Sequence, residues 1–223
     1  MSEKKYSAAL DFSGPEAAFA VADENGKIVI DAVRPMRGRD SSSLTPWLVE
    51  LLQEQGLDLN LIGHWTVGSG PGSFTGLRLA AAFVSGLTFG HKDVCCRCVP
   101  TALVIAEKAS PIPGQKIAVL HDGRNSELLL YGVICGDDKR CLPSGEVEVI
   151  KSDSEILSGF DLIIAPERDL PAIEKCLGSD IISKIEPVPH PPMALMLTAP
   201  GAWNNDLTEL VYIRPAVFVK PKF

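Results

Sequence analysis

The sequence predicts an α/β fold with two mixed sheets, each covered by helices. Three observations lead to this prediction. The first half reads as three strands followed by alternating helices and strands, in the order βββαβαβα, which is typical of a mixed sheet with helices packed on it. After the turn residues at 111–114 a second set of strands begins. The 223 residues are 46% hydrophobic and 22% charged, which is ordinary for a globular protein.

The three opening strands are short apolar runs separated by turn residues. They are predicted at 6–13, at 17–23 and at 28–30, and the sequence at 24–27 (Glu-Asn-Gly-Lys) is a strong hairpin signal. Together they predict an antiparallel meander.

Helices and strands then alternate. The serines at 41–43 offer N-cap oxygens to a helix over 43–56, in which leucines and Trp47 recur at helical spacing. The later predictions for this half are a strand at 61–67, a glycine-rich turn at 68–76, a helix to about residue 90, a strand at 93–99 and a Thr101-capped helix to about residue 109.

Residues 111–114 (Pro-Ile-Pro-Gly) are the best candidate for a boundary. We therefore predict an N-terminal lobe over 1–110, with the tail at 205–223 as a candidate addition to it, and a smaller C-terminal lobe over 111–204. The second lobe has predicted strands at about 115–121, 126–135 and 144–150, and a weaker alternation of helix and strand follows to about 198.

Composition excludes several classes of protein. The net charge of −7 disfavours a stand-alone nucleic-acid binder, because such binding depends on Lys and Arg that neutralise phosphates. The opening residues lack the long apolar segment of a signal peptide, and the most apolar stretch, 74–90, is short for a membrane span and contains Arg78. We expect a soluble, cytoplasmic protein.

The six cysteines do not suggest a metal site. Cys95, Cys96 and Cys98 are clustered, but their spacing lacks the C-x₂₋₄-C pair that structural zinc prefers. We therefore expect reduced thiols on a strand and no bound metal, although the sequence assigns the cluster no role.

The glycine-rich turn at 68–76 lies between a strand and a helix, where backbone N–H groups can hold an anion. It lacks the lysine of a P-loop, and Thr75 stands where a dinucleotide fingerprint needs glycine. Phosphate contact and a turn without a ligand both remain open. The candidate phosphate or nucleotide contacts are Asp11, Ser13, Gly70, Gly72, Ser73 and Thr75.

Other motifs are weaker. Asp11 ends the first strand, where a carboxylate can hold hydrated Mg²⁺ or simply form a turn. Asp122, Arg124 and Glu127 could form a charge network or a solvated hairpin. None of the four histidines lies in a recognisable catalytic motif, so no catalytic residue is predicted.

Residues 67–79 (VGSGPGSFTGLRL), followed by an Ala/Gly-rich helix, resemble the signature of the bacterial TsaB (YeaZ) family. The resemblance extends to Leu10–Ser13, to the D-x-R-x-x-E stretch at 122–127 and to a tail motif at 211–215. It implies a two-lobed actin/Hsp70-like ATPase (ASKHA) fold, with an RNase H-like sheet in each lobe.

The resemblance also implies a function. The family forms N6-threonylcarbamoyladenosine on tRNAs that read ANN codons, and its members are non-catalytic scaffolds that bind and activate the catalytic subunit TsaD. It implies the ATPase TsaE as a further partner, a homodimer when the chain is alone, tRNA contact only through the complex, no membrane contact and no tightly bound cofactor. ATP or ADP is expected at or near the partner interface.

The helix over 74–90 is apolar on nearly all sides, so one face is expected to meet a partner or to be buried within the domain. Together with the helix over 43–56, it gives the candidate partner interface Leu44, Trp47, Leu48, Leu51, Leu77, Ala81, Val84 and Leu87. Asp40 stands where many family members have histidine, so the effect of that exchange on this contact stays open.

Two other functions fit these residues less well. An active nucleotide-dependent enzyme of the same fold, a small-molecule kinase or ATPase, is disfavoured because 122–125 contains a single glycine and a bulky Arg124 where a second phosphate loop would lie. A metalloprotease is disfavoured because the zinc ligands are absent from the region at 39–44.

Overall fold

The computed structural model describes residues 4–36, 40–151 and 155–213, excluding the side chains of residues 40 and 41. The first sheet has the order β3-β2-β1-β4-β5. β1–β2 and β2–β3 pair antiparallel, whereas β1–β4 and β4–β5 pair parallel. The strands are β1 (Tyr6–Asp11), β2 (Glu16–Asp23), β3 (Ile28–Pro35), β4 (Ile62–Gly68) and β5 (Cys95–Val99).

Two helices cover one face of this sheet, α1 (Leu44–Glu54) and α2 (Phe74–Thr88). Leu44, Leu48 and Leu52 of α1 and Ala80 and Val84 of α2 join the strand side chains in one buried cluster. The leucine spacing in α1 is that of an amphipathic helix packed on its own core. The sheet therefore covers the apolar stripe of α1.

The second sheet has the order β10-β9-β6-β7-β8. Its strands are β6 (Lys116–Asp122), β7 (Leu128–Cys135), β8 (Cys141–Ile150), β9 (Leu162–Pro166) and β10 (Ile185–Val188). Helices α4 (Leu170–Leu177) and α5 (Ser179–Ile182) pack on one face around Leu120, Leu130 and Ile173. Two α/β lobes of similar design result, as predicted.

The helix at the end of each lobe packs on the other lobe. Helix α3 (Thr101–Lys108), which follows the first sheet, packs on the second sheet through Leu103 and Ile105. Helix α6 (Met193–Thr198), which follows the second sheet, packs on β1 and β2 through Met193 and Met196. The two helices contact each other. The lobe limits at residues 110 and 204 stay predictions, because α3 and α6 each pack on the sheet of the opposite lobe.

Residues 199–213, here called the C-terminal strap, cover the edge strand β5. Asn205 donates its backbone N–H to the Cys96 carbonyl at 3.0 Å, and its side-chain oxygen accepts from the Cys96 N–H at 2.6 Å. Trp203 stacks on the Arg97 guanidinium, 4.1 Å from the ring centroid, and Leu207 is buried in the first core. The strap thus packs on the first sheet through residues 203–207, whereas Val211 and Ile213 near its end pack against the core of the second sheet. The motif residues 214 and 215 lie outside the described residues.

Three local predictions were wrong. Ser43 makes no capping bond with its side chain, and its Oγ accepts from Arg34 at 2.6 Å. Strand β3 extends to Pro35, because the eight-residue β2 offers partners along that length. Thr101 lies within α3 and does not cap it, because its hydroxyl donates a hydrogen bond to the Asp11 carboxylate. Within the described ranges, no helix is both long and apolar enough to cross a membrane.

Candidate functional site

Asp11, the last residue of β1, is buried with 1% of its surface exposed. Its Oδ1 accepts from the Ser13 N–H at 2.8 Å and from the Ser13 hydroxyl at 2.6 Å, and its Oδ2 accepts from the Thr101 hydroxyl at 2.5 Å. Thr101 in turn accepts from the Gly70 N–H at 3.2 Å. The carboxylate therefore joins β1, the glycine-rich turn and the start of α3.

The glycine-rich turn uses many of its own donors internally. The Ser69 N–H donates to the Val99 carbonyl, and the Ser73 N–H donates to the Ser13 carbonyl. The Ser73 hydroxyl accepts from the Gly76 N–H at 3.3 Å, so Ser73 caps α2. An anion site needs free N–H groups that converge on one point. These bonds join the turn to other elements of the fold, and phosphate contact at the turn stays a prediction.

Gly76, in the first turn of α2, lies directly against β1. A Cβ built on it would overlap the backbone carbonyl oxygen of Phe12, which cannot move without shifting the strand. Phe12 itself is fully buried. A glycine at this position therefore lets the start of α2 approach the end of β1.

We expect Gly76→Ala to lower the free energy of unfolding by about 1–3 kcal/mol, because overpacking outweighs alanine's better helix propensity. Gly86→Ala, in the same helix, is the matched control: a Cβ there meets nothing within 4 Å. That change should stabilise the protein by about 0.5–1 kcal/mol. Urea unfolding of both variants checks the opposite signs, and a stabilising Gly76→Ala would contradict the close approach.

The predicted partner interface needs correction. Four of the predicted side chains lie in the protein's own interior, where they cannot contact a partner. They are Leu44, Leu48, Leu77 and Val84, each 1% exposed or less. Ala81 is 9% exposed. Trp47, Leu51 and Leu87 are partly buried against the first core. The apolar stripes of both helices face the sheet, as amphipathic stripes commonly do.

The outward face of α2 is a different set of residues. Thr75, Arg78, Ala82, Ser85 and Gly86 are exposed at helical spacing. Two aromatic residues flank them: Phe74 is 36% exposed, and Phe89, just after the helix, is 88% exposed. The Arg78 guanidinium stacks on Phe74 at 3.9 Å and donates to the Tyr212 hydroxyl at 3.1 Å. We call these residues the α2 outer face.

The structure brings the predicted charge residues Asp122, Arg124 and Glu127 together around one surface depression. Asp122 Oδ1 accepts from the Arg124 backbone N–H at 2.7 Å, and Glu127 pairs with Lys151 at 3.3 Å. The three residues thus line the same depression, and the hydrogen bond of Asp122 is to the Arg124 backbone, which does not establish a network of charged side chains. Residues 124–126 all have positive φ, the conformation of a tight turn.

Two thiols of the cysteine cluster, those of Cys96 and Cys98, have raised pKa values. Burial, followed by the charges of Glu209 and Asp206, raises the pKa of Cys98 to about 12. Burial also raises the pKa of Cys96. A thiol must ionise to act as nucleophile or metal ligand, so neither is poised for that role. In the part of the chain that the structure describes, no group of three or more His, Cys, Asp or Glu side chains could hold a metal ion.

The partners of the site residues have no signal in the sequence. The sequence predicts Thr101 as a helix cap, and it does not mark Arg168 and Glu16, which pair at 2.5 Å across the two lobes. No local signal identifies Arg168, because its partner is 152 residues away in the chain. Only the meeting of the two sheets brings them together.

Comparisons with known proteins agree with this fold. The family model described as TsaD, tRNA N6-adenosine threonylcarbamoyltransferase, matches residues 38–142, just under half of the chain. Over 47 residues the chain is 45% identical to the tRNA threonylcarbamoyladenosine biosynthesis protein TsaB of Haemophilus influenzae. That stretch is 21% of this chain and 20% of the relative, so the chain matches about a fifth of the relative's length.

Solved structures match over most of the chain. YeaZ from Pseudomonas aeruginosa is 22% identical with a TM-score of 0.68, over 87% of this chain and 90% of that one. An uncharacterized protein with similarity to peptidase YEAZ from Pseudomonas aeruginosa is 21% identical with a TM-score of 0.70, over 94% and 100%. The ethanolamine utilization protein EutJ from Carboxydothermus hydrogenoformans is 11% identical with a TM-score of 0.50, over 86% and 90%.

At these identities the structural likeness establishes the fold, a two-lobed α/β actin-like architecture. The sequence match to TsaB and the TsaD family model point to the same group of proteins. The sequence matches and the shared architecture thus make this chain similar to the TsaB and YeaZ proteins.

Proposed function

We propose that this chain is a non-catalytic scaffold and activator subunit of the complex that forms N6-threonylcarbamoyladenosine in tRNA. A TsaD-type subunit carries the catalysis, and docking of this chain orders its active site. The name of the TsaB relative and the family-model match over 38–142 support a place in this biosynthesis.

One observation supports the scaffold role most strongly. Both oxygens of Asp11 and several N–H groups of the glycine-rich turn bond within the chain itself, to Ser13, Thr101 and Val99. A nucleotide-dependent enzyme would need such groups to face its ligand. In this chain these groups fix the position of α2. The segment at 67–79, which resembles the family signature, therefore holds α2 in place for contact with a partner.

The α2 outer face is the proposed docking surface. It combines small residues at Ala82, Ser85 and Gly86 with exposed aromatic rings at Phe74 and Phe89. Small residues let another helix approach closely, and aromatic side chains are the commonest anchors of protein interfaces. The same surface would support a homodimer of the isolated chain.

The remaining partners follow from the same proposal. A TsaE-type ATPase joins the complex, and ATP or ADP binds at or near the interface with the catalytic subunit and not tightly to this chain. tRNA is contacted through the partners, because a chain of net charge −7 neutralises phosphates poorly.

The proposal is tested by size-exclusion chromatography with light scattering, in which this chain is mixed with the TsaD-type subunit of its own organism. ATP hydrolysis is measured on the same samples. A stable heteromer, with hydrolysis only in the mixture, would support the scaffold. Hydrolysis by this chain alone, without a complex, would favour a nucleotide-dependent enzyme of the same fold.

Ala82→Arg should abolish the heteromer and the homodimer while leaving the fold intact, because Ala82 is exposed at the centre of the α2 outer face. Ser179→Arg, at the exposed start of α5 in the other lobe, adds the same charge and should leave the complex unchanged. Circular dichroism confirms folding of both variants. If Ala82→Arg folds normally and still binds and activates the partner, α2 is not the docking helix.

A further inference from the structure

An arginine side chain of the second lobe pairs with a carboxylate of the first lobe. Arg168 follows β9 of the second sheet, and its Nη1 lies 2.5 Å from Oε2 of Glu16, the first residue of β2 in the first sheet. The Arg168 side chain is 13% exposed and that of Glu16 is 24% exposed. Water therefore screens this pair less than a surface ion pair.

The β1–β2 turn is shaped to receive this arginine. A Cβ built on Gly14 would overlap the Arg168 guanidinium, so the guanidinium lies flat against the glycine backbone. Glu16 follows two residues later and accepts the charged hydrogen bond. Any side chain larger than hydrogen at residue 14 would displace Arg168 from this position.

A second carboxylate holds the arginine from its own lobe. Asp169 Oδ1 lies 3.9 Å from Arg168 Nε, and Asp169 Oδ2 lies 3.6 Å from Nδ1 of His121 at the end of β6. The His121 side chain is 3% exposed, and its Nε2 has no hydrogen-bond partner among the described residues. A continuous line of polar groups thus runs from the interior of the second lobe, through Asp169 and Arg168, to Glu16 in the first.

We propose that Arg168 is a clamp between the lobes, which holds the two lobes together and covers Gly14 of the β1–β2 turn. Helices α3 and α6, each packed on the opposite lobe, join the lobes at their shared interior. Arg168 joins them at the β1–β2 turn. Breaking the Arg168–Glu16 pair should let the lobes separate about α3 and α6, and should uncover Gly14, whereas Phe12 and Ser13 stay covered by α2 and the glycine-rich turn.

The clamp is tested by hydrogen–deuterium exchange and small-angle X-ray scattering on the full chain. Arg168→Gln should raise the exchange of peptides covering residues 12–18 roughly tenfold, the factor expected when a charged hydrogen bond is lost. The radius of gyration should also rise. Lys151→Gln is the matched control, because it removes the same charge from an ion pair within the second lobe and should change neither reading.

A double-mutant cycle separates a clamp from a local packing effect. Glu16→Gln alone should reproduce both changes, and the Glu16→Gln/Arg168→Gln double variant should add little to either single change. Additive effects, or single variants that scatter and exchange like the parent, would overturn the clamp. Protection of residues 12–18 in the parent by inorganic phosphate would also overturn it, because the turn would then be an anion site and not a covered one.

Discussion

Val84→Glu is expected to unfold the N-terminal lobe. Val84 lies in the middle of α2 with none of its surface exposed, among the side chains of the first sheet. A carboxylate there would have no water and no cation to pair with, and such substitutions cost about 4–5 kcal/mol or more. Because domains are stable by only about 5–15 kcal/mol, the variant should lose most of its cooperative urea transition.

Ala82→Glu is the control for this prediction, since it introduces the same charge two residues away on the exposed side of α2. Its free energy of unfolding should stay within about 0.5 kcal/mol of the parent. Equal urea midpoints for the two variants would show that α2 is rotated about its axis relative to the structure described above.

Asp11→Ala should lower the free energy of unfolding by about 3 kcal/mol. The change leaves the Ser13 N–H, the Ser13 hydroxyl and the Thr101 hydroxyl without their acceptor in a buried site. Hydrogen bonds to a charged group contribute about 1.5–3 kcal/mol each, although relaxation of the hydroxyls recovers part of that. Urea unfolding of the isolated chain measures the loss.

Asp11→Asn keeps an oxygen for Ser13 and alters only the bond to Thr101, so a loss of about 1 kcal/mol is expected. This variant should still form the heteromer and support ATP hydrolysis in the mixture. Intact folding with abolished hydrolysis would contradict the structural role and make Asp11 a candidate ligand of nucleotide-bound metal.

Patterns among near neighbours were a good guide to which elements form, although not to the helix caps at Ser43 and Thr101. The strand runs, the hairpin at 24–27 and the leucine spacing in 43–56 all predict elements that the structure contains. The sidedness of the helices was predicted less well. An apolar stripe indicates that something covers it, but the stripe of Leu44 and Leu48 is equally suited to a partner or to the chain's own sheet, and here the sheet covers it.

The glycine-rich turn shows the same limit at the candidate site. Its glycines correctly predict a turn between a strand and a helix, but the close approach of Gly76 to Phe12 is seen only in the structure. Whether the free N–H groups face a ligand or the chain itself depends on Thr101 and Ser13, which come from other elements. Pairs that are far apart in the chain, such as Arg168 with Glu16, cannot be predicted from the spacing of neighbouring residues.

The C-terminal strap has a consequence for synthesis on the ribosome. The strand it covers ends at Val99, whereas the strap begins about 100 residues later. At roughly 5–20 residues per second, the nascent first lobe waits several seconds with one edge of its sheet unpaired. Unpaired edges template aggregation between chains, so the emerging N-terminal half should depend on chaperone cover until Asn205 leaves the exit tunnel and pairs with Cys96.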